Sequence, residues 1–118
     1  MKVTRSEATK KEKHGINLWV YPTGQEEAGV VYIEVAEGHL EEFFHRRCTF
    51  VYYVLEGEGT FYLNGEPTPV QATDLVVIPP MTKIYYLGTM KLTLTTIPSW
   101  TEKDEVHVRF ISKPTPKI

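Results

Sequence analysis

The sequence predicts an all-β fold, a sandwich or a barrel, and three observations carry that prediction. Apolar segments of four to seven residues, rich in Val, Ile, Tyr, Phe and Thr, recur along the chain. Clusters of Gly, Pro, Asn and Asp punctuate them. No stretch carries the apolar periodicity of a long amphipathic helix, and no repeat or low-complexity segment is present.

The elements follow in order. Residues 1–13 are polar and mixed in charge, with Arg5, Glu7, Lys10, Lys11, Glu12 and Lys13, and read as a loosely docked tail; an arm crossing onto a partner subunit is the alternative. Leu18 to Tyr21 is a strand ended by Pro22-Thr23-Gly24, and Gly29 to Val35 is a second. Glu37-Gly38 is a turn, and Leu40 to Phe44 suits a strand or a helical turn. Thr49 to Leu55 is the strongest strand, and Glu56-Gly57-Glu58-Gly59 turns it into Thr60 to Leu63. Asn64-Gly65 marks a hairpin, because both residues accept positive φ. Pro67 and Pro69 confine the next segment to an edge or a loop. Asp74 to Ile78, Ile84 to Leu87, Lys91 to Ile97 and Val106 to Ile111 complete the strands.

A chain of 118 residues fits a single domain, with a core over residues 15–112 and tails at 1–13 and 113–118. Such a domain buries roughly two-thirds of its unfolded surface and needs no staple. Lys+Arg is 13 and Asp+Glu is 15, a net charge of −2, which argues against a nucleic-acid partner. No apolar run is long enough to span a bilayer, so no membrane partner is expected. No apolar run follows Met1-Lys2-Val3-Thr4-Arg5, so no signal peptide is expected either. Cys48 is the single cysteine and has no partner for an intramolecular disulfide. A soluble, cytoplasmic protein is the expectation.

The central stretch resembles the cupin superfamily. The run Tyr52-Tyr53-Val54-Leu55-Glu56-Gly57-Glu58-Gly59 is close to the end of that family's first motif, with Gly57 as its closing glycine and Gly38 as its opening one, displaced by one residue. Thr73-Asp74-Leu75-Val76-Val77-Ile78-Pro79-Pro80-Met81-Thr82-Lys83-Ile84 lies on the frame of the second motif. There Thr73 and Met81 stand where the family has glycines, and Gly88 where it has an Asn. The resemblance covers residues 30–100 and implies a cupin jelly-roll β-barrel, the double-stranded β-helix.

Cupins that bind metal use two His and a Glu of the first motif and a His of the second. Those positions are Phe43, His45, Phe50 and Ile84 here, so three of the four offer only hydrocarbon. A divalent transition metal needs N, O or S donors, commonly three from the protein. No metal and no cofactor are therefore expected.

His45, Tyr52, Tyr86 and Arg47 are the candidate ligand-binding residues; no catalytic residue is assigned. Strand alternation turns Phe43 and His45 into the barrel mouth, where burial would keep the imidazole neutral. The competing assignment for His45 is a histidine satisfied by backbone. Tyr52 and Tyr86 share the inner face with the former metal positions and bring apolar bulk with a polar tip, or else simply pack the core. Arg47 has the parity to follow His45 inward and meet a carboxylate or phosphate, against a solvated strand end shared with Arg46. His39, Glu41 and Glu42 read as a solvated rim, and Cys48 as a small core or loop residue. His14 and His107 sit in terminal segments that nothing places near the barrel.

Val51, Tyr53 and Leu55 make the second face of their strand apolar as well, so it needs cover on both sides. The resemblance, with its sheet-mediated dimers, agrees on a homodimer. The functional expectation is a metal-free cupin holding a small organic, carbohydrate-like molecule in an apolar pocket. Two alternatives stand beside it: a metal-independent sugar isomerase or epimerase using His45 with a Tyr, and a structural or regulatory dimer with a filled barrel.

Overall fold

Among the described residues, nine antiparallel strands form one curled sheet. The structure is a computed structural model and describes residues 1–113. The strands are β1 (Thr9–Lys13), β2 (Ile16–Tyr21), β3 (Gly29–Val35), β4 (Gly38–His45), β5 (Thr49–Leu63), β6 (Glu66–Gln71), β7 (Leu75–Ile78), β8 (Ile84–Ile97) and β9 (Glu105–Phe110). Single 3-10 turns at Arg5–Glu7 and Glu102–Asp104 are the only helical pieces among the described residues. No helix there is long and apolar enough to cross a membrane.

The two long strands make the barrel. β8 and β5 pair along nearly their whole lengths, from Thr49↔Ile97 to Leu63↔Ile84. On one half β8 also pairs with β3 through residues 90–96, and β5 with β7. On the other half β8 pairs with β4, and β5 with β6. Both strands thus cross from one wall to the other, and the two walls close around an interior. Alternation selects what faces it. Phe50, Tyr52 and Val54 of β5, Ile33 and Val35 of β3, and Ile84, Tyr86 and Leu92 of β8 are buried, while Tyr53 and Leu55 face outward.

Several boundaries differ from the sequence expectation. Residues 9–13 of the expected tail form β1, paired with β2 from Thr9↔Val20 to Lys13↔Ile16. Ahead of it the Arg5 guanidinium lies 4.1 Å from the Trp19 ring. A lysine-rich segment carries little local strand signal, and the edge of β2 supplies the hydrogen bonds that order it. Of the other expected tail, residues 114–118 lie outside those described. Glu66–Gln71 is a strand despite Pro67 and Pro69, because it pairs on one side only, with β5.

Glu56–Gly59 bends the chain without ending the strand. The β5–β8 register shifts between Val54 and Glu56, and Gly57 takes φ +85°. A Cβ at Gly57 would overlap the Thr89 carbonyl oxygen of β8, so only glycine lets the two strands turn the corner together.

Thr73 and Met81 sit at φ +79° and +69°. They occupy the two second-motif positions where the resemblance has glycine. The Thr73 side chain is exposed, so little packing is lost on its removal. The left-handed conformation costs an L-residue roughly 1–2 kcal/mol, against about 0.5–1 for the extra chain entropy of glycine. Thr73→Gly is expected to stabilise the protein by about 0.5–1 kcal/mol, read as a raised urea midpoint at unchanged slope. A lowered midpoint would show the strain is absent.

Candidate functional site

A cavity of about 430 Å³ opens into the barrel, within the range of small-molecule sites. Its walls are apolar on β2, β3 and β8, where Ile16, Leu18, Val31, Ile33 and Leu94 line it. Charged and polar groups gather elsewhere on the lining: Lys11 and Lys13 of β1, His14, Glu41 of β4, and Glu102 and Glu105. The Lys13 ammonium is paired with the Glu105 carboxylate. Phe43, Phe50, Tyr52 and Tyr86 line this cavity.

His39 also lines this cavity. It stands on β4 directly opposite Tyr86 of β8, with ring centroids 5.5 Å apart. Tyr52, from the neighbouring β5, lies 5.7 Å from Tyr86. Phe61 lies against both tyrosines, stacked on Tyr86 at 4.7 Å and edge-on to Tyr52 at 5.1 Å. Phe43 covers another side of His39 at 4.9 Å. His39, Tyr52 and Tyr86 are each at most 3% exposed.

Burial decides the protonation of all three. It pushes the His39 imidazolium down to about 4, helped by the Lys13 charge and opposed by the hydrogen bond to the Glu41 carbonyl. The Tyr86 hydroxyl is pushed up by burial, against the opposing hydrogen bond with Tyr52. That of Tyr52 is raised well above its ordinary value by burial and, secondarily, by Tyr86. At neutral pH the site therefore holds one neutral imidazole and two phenols that keep their protons. His39 Nδ1 lies 2.9 Å from the Glu41 carbonyl oxygen. A carbonyl only accepts, so Nδ1 carries the hydrogen and Nε2 keeps its lone pair.

Of the four residues named from the sequence, the fold brings Tyr52 and Tyr86 together on the cavity wall. His45 and Arg47 are not among the lining residues. The His45 ring is buried, but Nδ1 accepts the backbone N–H groups of Arg47 (3.1 Å) and Cys48 (2.9 Å). Its Nε2 donates to the Thr101 carbonyl at 3.0 Å. Both ring nitrogens of His45 are thus engaged by the backbone. Arg47 lies outside the cavity, its side chain more than half exposed and 3.8 Å from the Asp104 carboxylate.

The solvated rim expected of His39, Glu41 and Glu42 is instead buried, because β9 lies against β4. Glu42 is paired with Arg109 at 3.0 Å, and Glu41 with His107 at 2.7 Å. His14 also lines the cavity. One sequence signal pointed to His39: it shares the parity of Phe43, already read as inward. Cys48 is buried, as a small core residue should be, with its thiol 3.1 Å from the Pro98 carbonyl.

A resident metal does not fit the family position. Phe43, Phe50 and Ile84 offer no donor, and the lone pair of His45 is spent on backbone N–H groups. Among the described residues no three His, Cys, Asp or Glu side chains are grouped to hold an ion.

Comparison with known proteins places the architecture. A cupin-domain family model matches residues 29–92. The structure of Pac13, a nucleoside dehydratase with a β-barrel, superposes with a TM-score of 0.93 at 48% identity, covering 95% of this chain and 93% of that one. Structures of Streptomyces Pac13 with uridine superpose with TM-scores of 0.92–0.93 at 47–48% identity, covering 94–95% of this chain and 92–93% of those, in two tyrosine-to-phenylalanine variants and a histidine-to-glutamine variant. KdgF from Halomonas sp. shares the fold alone, at 17% identity and a TM-score of 0.72 over 87% of this chain and 96% of that one. A search of curated proteins finds no match. On the family match and the identity to Pac13 together, the chain belongs to the cupin family.

Proposed function

We propose that the protein binds a nucleoside in the barrel cavity and removes water from its sugar. The observation that carries this is the neutral, tautomer-fixed His39 beside two protonated tyrosines in an open cavity. Support also comes from spacing. The histidine and two tyrosines substituted in the uridine structures of Pac13 are 13 and 34 residues apart, as are His39, Tyr52 and Tyr86.

The chemistry follows from the groups present. His39 Nε2 takes a proton from a sugar C–H, and that electron pair becomes the new C=C bond as the neighbouring C–O bond breaks. The imidazolium is a strong acid in this site and returns its proton to the leaving hydroxyl, releasing water. A Tyr52 or Tyr86 O–H stabilises the negative charge that builds on substrate oxygen. So weak a base takes only a C–H already acidified by an adjacent carbonyl, so assays should include nucleosides oxidised at the sugar. Loss of one water from such a nucleoside, followed by mass spectrometry, is the expected result. Binding of uridine with no water loss from any nucleoside tested would reduce the protein to a binding module.

The proposed reaction needs no metal. Turnover should survive exhaustive chelation and dialysis, checked by metal analysis of the same sample. Activity lost on chelation and restored by one divalent ion would overturn that.

A homodimer belongs to the same proposal. Tyr53 and Leu55 of β5 and Leu75 and Val77 of β7 are each more than a third exposed on one continuous sheet face. A second copy seated there would cover them. Light scattering should give twice the 13.6 kDa chain mass at micromolar concentration; a monomer mass would refute it.

A further inference from the structure

Two buried side-chain polar atoms among the described residues have no hydrogen-bond partner, Glu41 Oε1 and Thr96 Oγ1, and both residues line the cavity. Glu41 is the more telling. Its side chain is 8% exposed, and Oε2 accepts from His107 Nδ1 at 2.7 Å. The nearby His14 Nε2 stands 3.6 Å from Oε1, too far for a hydrogen bond. A carboxylate oxygen shut away from water without a donor is costly, and such a group in a native fold calls for a partner.

Glu41 is two residues from His39 on the same strand, and its carbonyl holds the His39 ring. Two strand residues span roughly 6–7 Å, about the breadth of a furanose with its hydroxyls. In the proposed reaction the sugar carbon sits at His39, so the groups next to Glu41 are sugar hydroxyls. Toward a carboxylate these offer O–H donors, which is what Oε1 lacks.

We propose, resting on the nucleoside assignment above, that Glu41 Oε1 accepts a hydrogen bond from a sugar hydroxyl and so selects ribonucleosides over their deoxy analogues. His107 holds the carboxylate in place from behind. A site built to bond a hydroxyl rejects the analogue that lacks it more strongly than an apolar wall rejects a change of size, because its own buried group is then left unpaired.

The test is calorimetric titration of wild type and Glu41→Leu with uridine, 2′-deoxyuridine and 3′-deoxyuridine. Wild type is expected to bind one deoxy analogue at least tenfold more weakly than uridine. In Glu41→Leu the gap should shrink below threefold, through loss of uridine affinity. Should that variant fail to fold, the carboxyl carbon of Glu41 is followed by NMR in wild type. Its signal should move with uridine and stay with the discriminated analogue. Equal binding of all three nucleosides to wild type, a gap that survives in Glu41→Leu, or equal carbon shifts would overturn the proposal alone. Wild type that binds no nucleoside would instead bring down the nucleoside assignment, and this proposal with it.

Discussion

Replacing His39 by Gln is expected to lower turnover by about 10²–10⁴-fold while nucleoside affinity stays within a few-fold. Glutamine keeps polar atoms in the site but cannot accept and return a proton. The pH profile gives an independent check. The imidazole of wild type is protonated only as pH falls through about 4, so the acid limb of kcat/KM should lie there and not near the ordinary 6.5. The same burial links His39 to stability. The unfolded chain takes up the proton below about 6.5 and the folded one only below about 4, so stability falls as pH drops through that window. At 1.36 kcal/mol per unit, the loss is on the order of 3 kcal/mol. Urea melts of wild type and His39→Gln at pH 7 and pH 4.5 should show an acid loss that is smaller in the variant. Equal acid losses, with full turnover in His39→Gln, would remove His39 from the chemistry.

Phe61→Ala is expected to cost about 3–5 kcal/mol, the largest stability change foreseen for one core residue. Phe61 is fully buried and backs both tyrosines of the site. Truncation leaves a void beneath Tyr86 and Tyr52, so turnover should fall as well, although Phe61 donates and accepts nothing. Phe61→Leu, which refills part of the volume, should recover much of both. Denaturant melts alongside turnover would decide it; a Phe61→Ala protein as stable as wild type would mean the tyrosines do not rest on this ring.

Local signals placed most strands well. Gly29 to Val35 matches β3, and alternation around Phe50, Tyr52 and Val54 identified the inner face of β5. Asn64-Gly65 marks a hairpin in the sequence and forms one in the fold, with positive φ at both residues. Failures came where neighbours in space overrule neighbours in sequence. Pairing with β2 turns a charged segment into β1, which then puts Lys11 and Lys13 on the cavity wall. A glycine corner lets β5 continue where its local sequence reads as a turn.

The division at the candidate site has a physical basis. Alternation along a single strand is a local property, so the inward set of Tyr52 and Tyr86 follows from the amino-acid order alone, while the hydrocarbon at three of the family's metal positions follows from the resemblance. Which histidine keeps a usable lone pair is a question of hydrogen-bond partners. His45 and His39 share parity and residue type, and nothing along the chain separates them. The chain folds so that Arg47, Cys48 and Thr101 take up both nitrogens of His45, while His39 gives one to Glu41 and keeps the other. Burial of Glu41 likewise depends on β9, more than sixty residues away in sequence, packing along β4. Hydrogen-bond satisfaction and desolvation belong to the assembled barrel, and they leave a free lone pair on His39 and none on His45.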